Sequence, residues 1–172
     1  VADGVQLHPF CAEKYLNEFI LPTINDELSK NGKSRKKFEI IGGCFIATGS
    51  TVEEVQKSRE WVRKRIGFYA STPAYWPVLE SEGHKDLGLE LNKLTKLGKW
   101  DKLEELIPDS LVNSCCISGT NMEIVERIST RLENKIDTLV ASQSYEKPSL
   151  LNATEVSEIK KIQVVYSDDP IK

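Results

Sequence analysis

The sequence is poor in the residues and segments that assign a protein directly to a class. Its four cysteines form no CxxC pair, and its two histidines stand far apart, so no spacing typical of a structural zinc site is present. No apolar run reaches the roughly 18 residues that a transmembrane helix needs. The start, VADGVQ, lacks the basic and apolar regions of a signal peptide. We therefore expect a cytoplasmic protein with buried, reduced thiols and no metal.

The chain also lacks an excess of positive charge. The 23 Lys and Arg residues are outnumbered by 26 Asp and Glu, which gives a net charge of −3. Proteins that bind nucleic acid or anionic membranes usually carry a basic face, so we expect neither partner. No GxGxxG motif, P-loop or Ser-His-Asp order is present, which removes the usual sequence evidence for a dinucleotide site or a hydrolase triad.

The most apolar stretch is residues 38–49, FEIIGGCFIATG, and the rest of the chain is arranged around it. A continuous apolar run of this length is typical of a parallel strand buried on both faces. Gly42 and Gly43 interrupt the run. They indicate either a bulge required by packing or a place where a ligand approaches the backbone, and the sequence leaves both interpretations open.

Strand and helix signals alternate on both sides of this run. Residues 5–8 predict a short strand that Pro9 ends. Apolar residues spaced by four from Leu16 to Leu28 predict a helix, which Pro22 should kink by removing a backbone hydrogen bond. A strand–helix–strand–helix order predicts an α/β protein with a parallel sheet.

The second half of the chain gives shorter signals. Ser50 with Glu53, and Thr120 with Glu123, have the spacing of a capping box and predict two helix starts. We predict helices over residues 86–97 and 100–107, a strand over 138–141 and a weak helix over 155–166. Residues 71–77, rich in Pro and aromatic side chains, predict a loop.

Candidate functional residues follow from position in these elements. His8 ends a strand, and ligands of α/β folds bind at the carboxyl ends of the strands. It either contacts a ligand near neutral pH or is held by a backbone group. Tyr69, Tyr75 and Trp76 surround the predicted loop and form either a cover for a flat ligand or a hydrophobic plug. From these residues alone, no reaction can be named.

Three strings of residues resemble the luciferase-like monooxygenase superfamily. They are DGVQLHPF at residues 3–10, FIATG at 45–49 and IGFYASTPAY at 66–75. Their order, followed by a Leu-Ile-Pro-Asp turn at 106–109, is most similar to the branch of coenzyme F420-dependent oxidoreductases. The resemblance extends to about residue 140, and the tail after residue 145 departs from it.

The resemblance implies the C-terminal part of a (β/α)8 TIM barrel. Residues 5–8, 40–48 and 138–141 would be about strands six to eight, with the helices between 86 and 113 as an inserted segment. We accordingly expect the chain to be cut from something longer, with residues 1–145 as the barrel part and 146–172 as a divergent tail. An open doubly wound sheet is the alternative.

The resemblance also implies an activity and its site. An oxidoreductase of this branch moves a hydride between F420 and a small organic substrate at the barrel mouth; FMN is the alternative cofactor. The candidate cofactor-binding residues are His8, Phe10 and Gly43, and the candidate substrate pocket is Tyr69, Tyr75 and Trp76. The expected partners are the remainder of the barrel, a small-molecule substrate and, for the full-length protein, a second copy. The chain alone is expected to be inactive, and a non-catalytic flavin-binding or partner-binding half barrel is a further alternative.

Overall fold

Short parallel strands and longer helices alternate in the computed structural model, which describes residues 2–144 and 150–167. The first half contains β1 (Gly4–Gln6), α1 (Glu13–Tyr15), α2 (Leu21–Lys30), β2 (Glu39–Gly42), β3 (Phe45–Gly49) and α3 (Val52–Ala70). The second half contains α4 (Trp76–Ser81), α5 (Leu87–Lys96), α6 (Asp109–Cys115), β4 (Cys116–Thr120), α7 (Ile124–Leu132), β5 (Thr138–Leu139) and α8 (Ala153–Ile159). The predicted α/β class is confirmed.

The strands form two small parallel sheets. One has the order β1-β2-β5, with Val5 opposite Ile40 and Ile41 opposite Thr138. The other pairs β3 with β4. The three segments predicted as strands therefore lie side by side in chain order, which is the order of neighbouring barrel strands. Among the described residues the sheets do not close into a barrel, and β1 and β5 are the two edges of the larger sheet.

The apolar run 38–49 was expected to be one strand, and this is wrong. It forms β2 and β3, which belong to different sheets. The break lies at Gly43, whose φ of +152° is a conformation that other residues rarely adopt. A Cβ atom there would lie 2.7 Å from Cδ1 of Leu139 and 3.0 Å from the carbonyl oxygen of Val140. The glycine is thus needed for β2 to turn into β3 beside the chain that leaves β5.

Strand β4 was not predicted. Its five residues, CISGT, pair in parallel with β3 from Cys116 opposite Phe45 to Thr120 opposite Gly49. Serine and glycine make a weak strand signal, so the sequence suggested only the end of a turn. The backbone of β3 supplies the hydrogen-bond partners that make this segment a strand.

The first helical region is irregular, as Pro22 predicts, but the irregularity is a π-helical turn. Residues Leu16–Ile20 form this turn between α1 and α2. Pro22 then lies in the first turn of α2, where the missing amide hydrogen is tolerated. The wider turn therefore accommodates the proline at the start of a new α-helical segment.

The capping box of α3 lies one residue later than predicted. The Thr51 hydroxyl accepts a hydrogen bond from the Glu54 amide at 3.3 Å, and the Glu54 carboxylate accepts one from the Thr51 amide at 3.2 Å. The same carboxylate accepts a shorter bond of 2.7 Å from the Ser50 amide. The predicted pair of Ser50 with Glu53 is therefore wrong, because adjacent Ser-Thr and Glu-Glu pairs give two registers of the same pattern.

At the second predicted capping box, Thr120 with Glu123, only the hydrogen bonds to the glutamate carboxylate form. The carboxylate of Glu123 accepts hydrogen bonds from the amide of Thr120 at 2.9 Å and from its hydroxyl at 2.8 Å. The hydroxyl therefore donates to Glu123 instead of accepting from the Glu123 amide. Helix α7 begins directly afterwards, at Ile124.

Residues 73–77 of the aromatic segment are helical, so the assignment of the segment as a loop is wrong. Pro73–Tyr75 form a 3-10 turn that runs directly into α4. Prolines at the first positions of both pieces fix backbone angles that a helix start requires.

The helix predicted over 86–97 is confirmed as α5, whereas the region 100–107 consists of 3-10 turns at Trp100–Lys102 and Glu104–Leu106. The weak helix predicted over 155–166 is only partly correct, because α8 spans Ala153–Ile159 and the residues after it are not helical.

Two hydrophobic clusters hold these elements together. One surrounds Phe45 and α3 and includes Phe10, Val62, Leu79 and Leu111. The other lies between the larger sheet, α7 and α8, and its buried members include Ile40, Ile46, Ile117, Ile124 and Ile128. Strand β3 contributes to both, and all five of its residues are buried. In the part of the chain that the structure describes, no helix has the length and apolar character needed to cross a membrane.

Candidate functional site

The carboxyl end of β1 brings His8 close to the end of α3. The amide of Leu7 still donates to the carbonyl of Ile41 at 2.8 Å, and the chain then leaves the sheet. The short segment that follows carries a half-buried His8 and a buried Phe10. This end of a parallel sheet is where α/β proteins bind ligands.

Four rings meet at this point, and we call His8, Phe10, Tyr69 and Tyr75 the aromatic cluster. The His8 ring centroid lies 4.5 Å from that of Tyr69, edge-on, and 4.8 Å from that of Tyr75. Phe10 lies 6.4 Å from Tyr69 and 5.8 Å from Tyr75. Four of the six residues predicted from sequence are therefore in mutual contact, although their binding roles stay predictions.

The imidazole of His8 is held in one tautomer. Its Nδ1 accepts a hydrogen bond from the amide of Phe10 at 3.0 Å, so in the neutral ring the proton is on Nε2. Burial lowers the pKa of His8, which favours this neutral form. No hydrogen-bond partner of Nε2 is found among residues 2–144 and 150–167. The ring therefore offers one N–H donor to an incoming acceptor atom.

Local structure explains why the two tyrosines meet. Tyr69 is in the last turn of α3, and the amide of Ser71 still bonds to the carbonyl of Gly67 at 3.2 Å. The chain then reverses through the 3-10 turn that places Tyr75 beside Tyr69, with a centroid distance of 5.6 Å. Asn92 of α5 fixes this reversal by donating to the carbonyl of Ser71 at 2.9 Å.

Trp76 and Gly43 are located outside the aromatic cluster. The indole of Trp76 donates to the carbonyl of Ala70 at 3.2 Å and packs against Gly88, where a Cβ atom would lie 2.5 Å from the ring. Gly43 is buried at the turn from β2 to β3. Both positions have evident packing roles, and their proposed ligand contacts stay predictions.

A cleft of about 540 Å³ adjoins the aromatic cluster and shares Tyr69 with it. We call it the mouth cleft because its lining includes Pro9, which follows His8, and Ala141 and Ser142, which follow β5. The remaining residues that line it come from β3, α3 and the chain after β5: Phe45, Trp61, Arg65, Val140, Gln143, Leu150, Leu151 and Val156.

The candidates predicted from the sequence did not include Trp61, Arg65 or Gln143. Trp61 and Arg65 precede Tyr69 at intervals of four along α3, so the helical period places all three on one face. This spacing of four residues is a sequence signal from which Trp61 and Arg65 could have been predicted. Gln143 carries no pattern of its own, because only the path of the chain after β5 brings it to the cleft.

The cysteines take no part in this site. All four are buried free thiols. Burial raises the pKa of Cys11 and Cys116 to about 12 and that of Cys44 to about 11, and it raises the pKa of Cys115 as well. Within the described residues, no three His, Cys, Asp or Glu side chains come together in a way that could hold a metal ion. The predicted burial of the thiols is confirmed.

Comparison with solved structures identifies a similar fold. The coenzyme F420-dependent tetrahydromethanopterin reductase from Methanopyrus kandleri matches with a TM-score of 0.65 and 14% sequence identity, over 95% of this chain and 45% of that chain. At this identity the likeness describes the fold.

Related sequences are found in mycobacteria. An uncharacterized protein of Mycobacterium tuberculosis H37Rv is 36% identical over 140 residues, which is 81% of this chain and 41% of the relative. An uncharacterized protein of Mycobacterium bovis matches to the same extent. The chain thus spans less than half the length of these relatives. The family model of the luciferase-like monooxygenases matches residues 1–138. The chain therefore belongs to the luciferase-like monooxygenase family.

Proposed function

We propose that this chain forms about strands six to eight of a (β/α)8 barrel in an F420-dependent oxidoreductase. The observation that carries the proposal is the aromatic cluster at the carboxyl end of β1, with His8 presenting an N–H donor that no described residue accepts. Membership of the luciferase-like family and the likeness to an F420-dependent reductase support an oxidoreductase. In this proposal residues 1–145 are the barrel part and 146–172 are a divergent tail.

The residues present fit the ring of a deazaflavin. Such a ring is flat and conjugated, and it packs well against partly exposed aromatic side chains such as Tyr69 and Tyr75, which the buried Phe10 supports from behind. His8 would donate from Nε2 to an acceptor atom on the ring edge, while the buried side of the cluster keeps water away. When bound, F420 supplies or accepts the hydride. FMN offers a similar ring, so it is the alternative cofactor.

Catalysis is expected to require more than this chain. The larger sheet ends at β1 on one side and at β5 on the other, and no further strand of the described part covers either edge. An uncovered edge leaves backbone N–H and C=O groups without partners. The remaining barrel strands would pair there and complete the mouth. Hydride transfer to a small organic substrate is therefore expected only from the full-length protein.

The test is a titration of the full-length protein with F420, followed by the absorbance and fluorescence of the deazaflavin. We expect binding and, with the His8→Phe variant, about fivefold weaker binding, since this change keeps a ring but removes one hydrogen bond worth about 1 kcal/mol. His84→Phe is the matched control, because His84 is the other histidine and lies outside the aromatic cluster.

The aromatic wall is tested separately from the hydrogen bond. Tyr69→Phe should retain F420 binding, whereas Tyr69→Ala should weaken it at least tenfold because the ring is lost. Binding of FMN without affinity for F420 would overturn the choice of cofactor. Cofactor binding without hydride transfer to any of a panel of carbonyl, alcohol and imine substrates would favour the non-catalytic alternative.

A further inference from the structure

The mouth cleft contains polar groups that the aromatic cluster does not use. It lies along the face of α3 that carries Trp61, Arg65 and Tyr69. Phe45 extends this face: its ring centroid lies 6.3 Å from Trp61, edge-on, and 6.3 Å from Tyr69 in a stacked arrangement. The partly exposed side chains of Trp61 and Tyr69, with the buried Phe45 between them, therefore provide an apolar surface for a ligand.

Among the arginines of α3, Arg65 is the one whose guanidinium forms no hydrogen bond or ion pair with another described residue. Arg63 pairs with Glu60 and Asp109, and Arg59 donates to Ser118 and Asn113. The guanidinium carbon of Arg65 instead lies 5.1 Å from the Trp61 ring centroid. No acidic partner of Arg65 is found in the described part of the chain. A guanidinium that is positioned over a ring and has its fork of donors available is suited to a carboxylate.

Gln143 provides a second, independent indication of a ligand. Its Oε1 is buried, and it has no hydrogen-bond partner among the described residues. Buried acceptors are nearly always paired, because an unpaired one loses its bond to water without compensation. Since Gln143 lines the mouth cleft, an N–H or O–H group of a ligand in the cleft would satisfy it.

We propose that the mouth cleft binds the substrate of the enzyme, and that this substrate is a flat conjugated heterocycle with a carboxylate and a ring N–H. Trp61 packs on the ring, Arg65 binds the carboxylate, and Gln143 Oε1 accepts from the ring N–H. The assignment to a substrate rests on the proposed function. The ligand chemistry itself rests only on the cleft.

Three small molecules separate the contribution of the ligand's carboxylate from that of its ring N–H. Orotate carries both a carboxylate and ring N–H groups, uracil lacks the carboxylate, and benzoate lacks the N–H. Binding to the full-length protein is measured by calorimetry and by the shift of the Trp61 indole N–H signal in 15N spectra, assigned with a Trp61→Phe variant. We expect orotate to bind at least tenfold more tightly than either of the other two, because only orotate engages both polar groups.

Variants then assign each contact. Arg65→Gln should weaken orotate at least tenfold and leave uracil unchanged, and Arg65→Lys should retain part of the affinity. Gln143→Leu should weaken orotate and uracil but not benzoate. Lys57→Gln is the matched control, because it removes a positive charge from the same helix at a residue outside the cleft. Native 15N spectra establish that each variant is folded.

Several outcomes would overturn the proposal. Orotate binding that is insensitive to both Arg65→Gln and Gln143→Leu would show that the cleft does not recognise this chemistry. Competition between orotate and F420 would show that the cleft holds the cofactor ring, not the substrate. If orotate binds as expected but neither F420 nor FMN does, the proposed function fails while the ligand chemistry of the cleft stands.

Discussion

Arg35 and Asp137, 102 residues apart in the chain, form an ion pair that is almost entirely buried. Nη2 of Arg35 donates to Oδ2 of Asp137 at 2.7 Å, and the carboxylate side chain is only 2% exposed. Oδ2 also accepts from the amide of Ile40 at 2.8 Å, and Oδ1 accepts from the amides of Val165 and Tyr166. One carboxylate thus joins β2, the turn before β5 and the C-terminal tail.

We expect Asp137→Ala to lower the free energy of unfolding by about 3 kcal/mol, because it leaves a largely buried guanidinium and three amides without their acceptor. Urea denaturation measures the change. Asp26→Ala, at an exposed residue of α2, is the control and should change stability by less than about 0.5 kcal/mol. A loss below about 1 kcal/mol for Asp137→Ala would contradict this account of the tail's attachment.

The burial of His8 predicts a specific dependence of stability on pH. The folded pKa of His8 is below its ordinary value, so between these two values the unfolded chain binds more protons than the folded chain. Stability from His8 is therefore present above the ordinary pKa of about 6.5 and is lost as pH falls through the folded pKa. An NMR titration of the His8 ring should give a midpoint below 6.5.

The same effect is measurable in unfolding experiments. Urea denaturation at pH 7.5 and pH 5 should show a smaller pH dependence for His8→Gln than for the wild type, since the variant has no titrating ring. His84→Gln serves as the comparison variant. An unchanged pH dependence in His8→Gln would show that His8 is not the group responsible.

The buried thiols should be chemically inert in the native protein. Burial raises their pKa values, to about 11 for Cys44 and about 12 for Cys11 and Cys116, so the reactive thiolate is almost absent at pH 8. A colorimetric disulfide reagent is expected to label none of the four within minutes and all four in denaturant. Rapid labelling of one thiol without denaturant would contradict this.

Gly43→Ala tests the turn from β2 to β3. The added Cβ would meet Leu139 and Val140 at a φ of +152°, so both steric contact and backbone strain oppose it. We expect a loss of about 2–3 kcal/mol in thermal or urea unfolding. Gly32→Ala is informative beside it, because Gly32 has φ +63° but no atom within 4 Å of the added Cβ, and it should cost only about 1 kcal/mol. Equal losses would exclude the steric contribution.

Much of the fold could be predicted from local signals. The apolar run around Ile40, the strand ended by Pro9 and the regular apolar spacing of α2 and α3 each depend on neighbouring residues only. The division of the run into β2 and β3, and the existence of β4, could not be predicted, because strand pairing depends on which distant segment supplies the hydrogen bonds. The register of the cap at Thr51 was also open, since two adjacent pairs satisfied the same pattern.

In the candidate site, too, some residues could be predicted from the sequence and others could not. His8, Tyr69 and Tyr75 were found because they end or follow recognisable elements. Arg65 and Gln143 were missed, because an exposed arginine on a helix and a glutamine in a loop look ordinary in a sequence. Arg65 is distinguished because it forms no ion pair with any residue that the structure describes, and Gln143 because its side-chain oxygen is buried. Both are properties of the three-dimensional surroundings.

Local residue patterns were enough to predict that this chain alternates strands and helices, buries its thiols and resembles the luciferase-like family. These properties depend on hydrophobic spacing and residue identity, which are local. The split of the apolar run at Gly43 and the attachment of the tail by Asp137 became visible in the three-dimensional structure alone. The tertiary structure likewise brought Arg65 and Gln143, 78 residues apart, to one cleft. Such outcomes depend on contacts between distant segments, where packing and hydrogen bonding select among conformations that each segment alone would allow.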